Sequence, residues 1–212
     1  MFTGIIEELG KVESKNKIAE GIHFRIRSKK VIKKLNVSDS VSVNGVCHTV
    51  TKKAQSSFEF ISVHETLKKT NMNSLNNGDE VNLENSLVIG QQIGGHFVFG
   101  HIDDTGIIES VKKVKQKGKK NKDSENREYR FKIHKKYLKF IVKTGSIAIN
   151  GVSLTVASLS KPEGKHFIIM TAIIPHTFTH TTFKNLKAGD KVNLEFDFLG
   201  KYVLNILEKS KS

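Results

Sequence analysis

The chain has 212 residues, 37% of them hydrophobic and 26% charged, and it holds no apolar run near the roughly 20 residues that a membrane helix needs. Its single cysteine excludes an intrachain disulfide framework and a cysteine-based zinc cluster. The net charge of +14 raises the possibility of nucleic-acid binding, but seven lysines fall in one polar stretch, residues 112–122, which we interpret as a solvated loop.

The chain opens with MFTGIIEELG, which lacks the basic segment, apolar stretch and cleavage site of a targeting signal. We therefore expect a cytoplasmic protein. The pattern of this opening returns about a hundred residues later, with these positions in register: Gly4, Ile6, Gly10 and Val12 over Gly100, Ile102, Gly106 and Ile108.

The next repeated segment is VSVNGVCHTVT at residues 41–51, which returns as IAINGVSLTVA at residues 147–157. Alternating apolar residues predict a strand up to the Asn-Gly pair, and residues 49–51 predict the returning strand. Asn-Gly favours the tight turn of a β-hairpin. The separation of equivalent residues grows from 96 at Gly4 and Gly100 to 106 at Asn44 and Asn150, which places an insertion at the lysine-rich stretch.

A third pair confirms the order, since GDEVNLE from Gly78 matches GDKVNLE from Gly189. Further β-rich runs lie at residues 58–63, 81–83, 129–133, 167–174 and 192–196, and residues 135–142 are candidates for a short capping helix. Short strands with close turn signals and only two prolines predict an all-β barrel or sandwich, present twice in the chain.

The tail, from Leu199 to about Ser210, has the periodicity of an amphipathic helix, with Leu199, Val203, Ile206 and Leu207 on one face. Three turns of helix are marginal alone and need a surface to pack on. The sequence leaves two alternatives, the helix's own barrel or partner subunits.

Differences between the two copies are the candidates for chemistry. After the shared Asn-Gly-Val, the first copy has Cys47 and the second Ser153, and each is followed two residues later by a threonine on the same strand face. At the openings, Ile5 of the first copy corresponds to His101 of the second. Each feature also has a purely structural interpretation: a packed thiol, β-propensity of threonine, or a structural histidine.

These segments together resemble the riboflavin synthase family of the alpha-chain type, built from two lumazine-binding repeats. The similarity rests on MFTGIIEELG, NGVCHTVT, IGGHFVFGHIDDTG, INGVSLTV and IIPHTFTHTT, which span nearly the whole chain in the family's order. The resemblance implies two six-stranded antiparallel Greek-key barrels, at residues 1–95 and 96–197, and a C-terminal oligomerisation helix at residues 198–212.

The resemblance also implies a reaction and its setting. Two molecules of 6,7-dimethyl-8-ribityllumazine exchange a four-carbon unit to give riboflavin and 5-amino-6-(D-ribitylamino)uracil, with no cofactor and no metal. The site would lie between the first barrel of one subunit and the second barrel of its neighbour in a homotrimer, and association with lumazine synthase is possible on the same grounds.

The resemblance assigns the site residues position by position. The catalytic candidates are His101, Cys47, Ser153, Thr155 and Asp197. Predicted lumazine contacts of the first barrel are Gly4, Ile5, Ile6, Cys47, His48, Thr49, Ile61, Ser62, Val63, His64, Glu65 and Thr66. Those of the second barrel are Gly100, His101, Ile102, Thr144, Ser153, Leu154, Thr155, Ile173, Ile174, Pro175, His176, Thr177 and Phe178. Three residues depart from the family's pattern: His48, Phe99 and Thr144.

Two other functions compete with the enzyme. A non-catalytic, antenna-type lumazine or flavin carrier would share the fold, but Cys47, His101 and Ser153 are all present here. A nucleic-acid-binding barrel would exploit the positive charge, but no aromatic residues are interleaved with the lysine run to stack on bases. We therefore expect the enzyme.

Overall fold

A computed structural model describes residues 1–114 and 126–210, and it folds them into two antiparallel sheets of seven strands each. The first sheet has the order β4-β3-β7-β1-β2-β6-β5. Its strands are β1 (Glu8–Ile18), β2 (Gly21–Arg27), β3 (Ser40–Val43), β4 (Val46–Thr49), β5 (Lys52–Lys53), β6 (Ser57–Val63) and β7 (Glu80–Asn85). Helix α1 (His64–Lys69) follows β6, and 3-10 helices occupy Val31–Lys33 and Met72–Ser74.

The second sheet repeats this arrangement in the order β11-β10-β14-β8-β9-β13-β12. Its strands are β8 (Asp104–Val114), β9 (Asn126–His134), β10 (Ser146–Ile149), β11 (Val152–Thr155), β12 (Ser158–Leu159), β13 (His166–Ile173) and β14 (Lys191–Phe196). Helix α2 (Pro175–His180) follows β13, and 3-10 helices occupy Lys135–Phe140 and Thr182–Lys184. The predicted duplication, the β-rich runs and the short helix after residue 135 are all confirmed.

Seven strands rather than six reflect one bent strand at the seam of each barrel. Strands β4 and β5 lie at opposite edges of the first sheet, yet only Val50 and Thr51 separate them in the chain. The Thr51 N–H donates to the Glu59 carbonyl at 2.8 Å, so the bend carries the chain from one edge to the other. Counted as a single bent strand, β4 and β5 give the six-stranded barrel that the family resemblance implies, and this closure leaves few exposed edges.

The Asn-Gly pairs form the predicted hairpin turns. Asn44 and Gly45 have φ of 48° and 80°, and Asn150 and Gly151 have 47° and 78°. Positive φ at both central residues defines the turn whose twist matches its flanking strands. The two turns abut, because a Cβ added to Gly45 would lie 2.5 Å from the Gly151 nitrogen.

Each barrel encloses its own apolar core, rich in aromatic rings. Phe24, Phe58 and Phe60 are fully buried in the first, and Tyr129 and Phe131 in the second. Burying one such side chain contributes about 1.5–3 kcal/mol, so two separate cores of this size can stabilise two barrels.

Buried asparagines join the barrels to each other. The Asn82 amide donates to the Asn150 carbonyl at 2.9 Å, and the Asn193 amide donates to the Asn44 carbonyl at 2.8 Å. Asn193 also accepts the Asn71 N–H at 2.6 Å. Because both Asn82 and Asn193 have no exposed surface, these hydrogen bonds fix the barrels against each other.

The tail forms helix α3 (Phe198–Lys209), as predicted. The Asp197 side chain begins it by accepting the Leu199 N–H at 2.9 Å. The predicted apolar face does not pack on the described part of its own barrel, since Leu199, Val203 and Ile206 are 59%, 55% and 64% exposed. The first of the two alternatives is therefore wrong for this face.

The lysine-rich stretch predicted at residues 112–122 falls largely on residues 115–125, which lie outside the described part of the chain. Among the described residues, no helix is both long enough and apolar enough to cross a membrane.

Candidate ligand-binding sites at the crossed openings

The opening segments of the two repeats run beside each other and then cross to opposite barrels. Phe2 and Val98 form an antiparallel bridge, with both N–H···O hydrogen bonds made, at 2.6 and 3.1 Å. Beyond it, the Gly4 carbonyl accepts the N–H of Ser153, 2.8 Å away in the second barrel. The Gly100 carbonyl accepts the N–H of Cys47, 2.9 Å away in the first barrel.

Glycine is required where each opening meets the opposite barrel. Gly4 and Gly100 both have φ of 76°, a conformation that favours glycine. A Cβ on Gly4 would lie 2.7 Å from the Cβ of Ser153, and one on Gly100 would lie 2.6 Å from the Cβ of Cys47. No larger residue permits this approach, so the repeated glycines mark the two points of crossing.

This crossing corrects the grouping of the predicted contacts by barrel. The sequence places Gly4, Ile5 and Ile6 with Cys47, but the structure places them with Ser153, and Ile6 packs against the second core. Conversely, Gly100, His101 and Ile102 belong with Cys47 and not with Ser153, and Ile102 packs against the first core. An internal alignment shows which positions are equivalent, but not which barrel each one contacts.

We call the two resulting clusters the Cys47 site and the Ser153 site. The Cys47 site combines Cys47 and Thr49 of β4 with Gly100 and His101. The Ser153 site combines Ser153 and Thr155 of β11 with Gly4 and Ile5, as well as with His96.

His96 is a site residue that the sequence did not single out. Its Nδ1 lies 2.7 Å from the Ser153 Oγ. Burial lowers the pKa of His96, and the charge of Asp197 acts in the opposite direction. A neutral imidazole at this distance can exchange a proton with the serine hydroxyl. The stretch IGGHFVFGH contains both His96 and His101, but the sequence analysis identified only His101 as a candidate.

His48 turns away from the site. On β4, Cys47 is half-buried and Thr49 exposed, whereas His48 is 5% exposed and stacks on Phe60 with ring centroids 4.0 Å apart. Burial lowers the pKa of His48 to about 3, so the ring is neutral, and its Nε2 has no hydrogen-bond partner among the residues that the structure describes. Strand alternation leaves only the main chain of His48 for a ligand, and Leu154 likewise packs against the second core.

The remaining predicted contacts lie on neighbouring elements. Strand β4 packs against β6, which ends at Val63 and is followed by α1, and contact of residues 61–66 with a ligand at the Cys47 site stays a prediction. Strand β11 packs against β13 in the same way, and contact of residues 173–178 with a ligand at the Ser153 site stays a prediction. The Thr144 N–H donates to the Val156 carbonyl at 2.8 Å, next to Thr155.

Alternation also divides these segments. Ile61 and Val63 are 37% and 49% exposed, whereas Ser62 between them is buried. In the second repeat Ile173 is buried and Ile174 is 53% exposed. Phe178 lies beneath the Arg127 guanidinium, 3.5 Å from its ring centroid. The exposed members of each segment are the ones free to touch a ligand.

A cleft of about 620 Å³ adjoins the Ser153 site at Ile5 and extends along the linker between the barrels. It is lined by Thr3, Lys34, Asp39 and Gln91, among others, but not by Cys47, Ser153 or His96. We therefore place the candidate chemistry at the two crossed sites and not in this cleft.

Comparison with known proteins agrees with this architecture. A model of the lumazine binding domain family matches residues 3–86 and 99–197, once for each barrel. The chain is 36% identical over 210 residues to riboflavin synthase of Bacillus subtilis (strain 168), covering 99% of this chain and 91% of that protein. It is 37% identical over 209 residues to riboflavin synthase of Actinobacillus pleuropneumoniae, with the same coverage.

Solved structures share the fold. LumP complexed with riboflavin superposes with a TM-score of 0.78 at 22% identity, covering 92% of this chain and 99% of that one. LumP complexed with 6,7-dimethyl-8-(1'-D-ribityl) lumazine gives 0.74 at 22% identity, covering 92% of this chain and 98% of that one. Fold and sites together define a two-barrel protein of the lumazine-binding class. Within that class, the chain belongs to the riboflavin synthase family, and the family predicted from the sequence is confirmed.

Proposed function

We propose that the chain catalyses the dismutation of two 6,7-dimethyl-8-ribityllumazine molecules, giving riboflavin and 5-amino-6-(D-ribitylamino)uracil. The observation that carries this proposal is the presence of two sites with the same backbone geometry and different side chains. One contains Cys47 and, next to Gly100 in the chain, His101, and the other contains Ser153 and His96. One compound that must act as both donor and acceptor of four carbons needs this combination of likeness and difference.

The proposed chemistry begins with loss of a proton from the C7 methyl group of one lumazine, while the other accepts a nucleophile at C7. Holding the two rings face to face converts a bimolecular step into an oriented one, a gain that reaches about 7–11 kcal/mol in well-oriented model systems. His101 is exposed beside the Cys47 site and is our candidate for moving the proton. Cys47, Ser153, Thr155 and Asp197 orient the substrates or stabilise the adduct.

The crossing alters the asymmetry between the two sites that the sequence indicates. By sequence alone, only the opening of the second repeat carries an imidazole. In the folded chain each site has one, because His96 reaches Ser153 while His101 follows Gly100 to Cys47. The difference between the sites is then the thiol against the hydroxyl, and an exposed imidazole against a half-buried one.

We further propose that a homotrimer assembles through α3, with the substrates bound between the first barrel of one subunit and the second of its neighbour. The exposed apolar face of α3 supports this arrangement. A cytoplasmic location and association with lumazine synthase are proposed on family grounds, and co-sedimentation of the two purified proteins tests the latter.

The decisive experiment incubates purified protein with the lumazine and follows riboflavin by its absorbance. We expect one riboflavin for every two lumazines consumed. Tight binding without product would instead identify an antenna-type carrier.

A variant series tests the roles within the sites. His101→Ala and Cys47→Ser should lower kcat more than they raise KM, because both act on the reacting atoms. His166→Ala, at the end of β13 remote from Ile173, is the matched control and should retain wild-type kinetics. Unchanged kcat in His101→Ala would remove that residue from the chemistry.

A further inference from the structure

Two buried glutamates remain outside the proposed chemistry. Glu84 and Glu195 end the VNLE segments of the two repeats and are only 4% and 3% exposed. Burial raises the pKa of each carboxyl, and hydrogen bonds from backbone N–H groups oppose that rise. A carboxyl buried to this degree needs partners to compensate for the loss of water.

Those partners are the crossed openings. Glu195 accepts the Phe99 N–H with one oxygen, at 2.6 Å, and the Gly100 N–H with the other, at 2.9 Å. Glu84 accepts the Thr3 N–H and hydroxyl with one oxygen, both at 2.7 Å, and the Gly4 N–H with the other, at 3.0 Å. Both carboxylates therefore bind two successive backbone N–H groups in bidentate fashion, the stronger class of hydrogen bond.

The backbone segment that each carboxylate binds also contacts the barrel to which that carboxylate does not belong. Glu195 belongs to the second barrel, but the Gly100 that it holds accepts the Cys47 N–H of the first. Glu84 belongs to the first barrel, but its Gly4 accepts the Ser153 N–H of the second. Each carboxylate thus binds an opening segment, and that segment in turn binds a site residue of the other barrel.

We propose that Glu84 and Glu195 are positioning residues that act crosswise: Glu195 of the second barrel sets the geometry of the Cys47 site, and Glu84 of the first sets that of the Ser153 site. The part that these glutamates play in catalysis rests on the proposed function. Their effect on the geometry of the two sites does not depend on that function and is tested separately.

Glutamine is the diagnostic replacement because it keeps the size and removes one acceptor. In Glu195→Gln, the amide oxygen can accept one of the two N–H groups, and the amide nitrogen faces the other as a second donor. The opening segment that carries His101 is then held at one point instead of two. Glu84→Gln makes the same change at the other crossing, so each variant is the matched control of its counterpart.

The single cysteine of the chain provides a readout that does not depend on turnover. Cys47 is half-buried, and its N–H is bound by the segment that Glu195 holds. We expect Glu195→Gln to speed alkylation of Cys47 by iodoacetamide about tenfold, the factor that corresponds to weakening local closure by ~1.4 kcal/mol. Glu84→Gln should leave the alkylation rate within about twofold of wild type, because its segment contacts the other site.

Kinetics supply the second readout. Both variants should lower the rate of riboflavin formation at saturating lumazine, and Glu195→Asp, which keeps two acceptor oxygens, should recover part of the Glu195→Gln loss in both kcat and Cys47 protection. Equal acceleration of alkylation in the two glutamine variants, or none in Glu195→Gln, would overturn the crosswise assignment. If the wild-type protein forms no riboflavin while the two glutamine variants show the predicted alkylation rates, the proposed function is refuted and the positioning roles of Glu84 and Glu195 are supported.

Discussion

The neutral imidazole of His48 contributes to the pH dependence of folding stability, and His48→Leu should remove that contribution. His48 is buried in the first barrel against Phe60, and within the described part of the chain its Nε2 has no hydrogen-bond partner. Burial lowers its pKa from 6.5 to about 3. In the unfolded chain the same ring takes up a proton as the pH falls below 6.5, whereas the folded chain resists it.

The sign and size follow from proton linkage. Between pH 6.5 and 3 the unfolded state binds more protons, so stability falls as the pH falls. The loss due to His48 is about 1.4 kcal/mol at pH 5.5 and about 2.7 kcal/mol at pH 4.5, relative to neutral pH. Leucine is close in size, does not titrate, and leaves no buried acceptor without a partner, so His48→Leu should lose none of this stability and should be no less stable at pH 7.5.

Urea unfolding of wild type and His48→Leu at pH 7.5 and 5.5 measures the difference directly. All other titrating groups are shared, so the change in the stability gap between the two pH values isolates His48. The control Asn16→Leu replaces an exposed residue that does not titrate and should keep the wild-type pH dependence. A stability gap that does not change with pH would refute the inference that His48 stays neutral in the folded barrel.

Three further substitutions test the parts of the fold on which the sites depend. Asn193→Ala removes hydrogen bonds to Asn44 and Asn71 across the barrel interface and should lower the free energy of unfolding by about 2–4 kcal/mol in urea titrations, whereas exposed Asn16→Ala should change it little. Tyr129→Phe removes the hydroxyl that donates to the Phe183 carbonyl at 2.6 Å, and it should cost about 1–2 kcal/mol in the same assay; no loss would mean that water replaces the bond. Ile206→Glu places a charge on the exposed face of α3 and should dissociate the proposed trimer in analytical ultracentrifugation, whereas Asn205→Glu should not; a monomeric wild type would contradict the proposal.

The sequence predicted the local backbone geometry wherever that geometry requires a particular type of residue. The Asn-Gly pairs predicted the tight turns because both positions require positive φ, which asparagine and glycine tolerate best. Alternating apolar residues predicted the strand before each turn, but the strand after the first turn covers Val46–Thr49 and not the predicted residues 49–51. The two-residue strands Lys52–Lys53 and Ser158–Leu159 were not predicted, since a pair of residues carries no periodicity.

The sequence could not predict which opening segment contacts which of the two sites. Ile6 and Ile102 are equivalent apolar residues, and either core would bury either of them at similar gain, so composition cannot decide between them. Only the three-dimensional course of the chain shows that they exchange barrels. The same holds for His96, whose distance from Ser153 depends on the Phe2 and Val98 bridge and not on any short spacing.

The exchange gives the duplication a consequence that two independent barrels would not have. Each barrel contributes the strand residue of its own site and, through its opening segment, the backbone that binds the strand of the other site. The boundary predicted at residues 95 and 96 falls in the linker, yet cutting there would separate Ile6 from the core that it fills and Gly100 from Cys47. Neither site is complete in one repeat. Each repeat therefore helps to build both sites, and a substitution in one opening segment acts on the site residue of the other barrel.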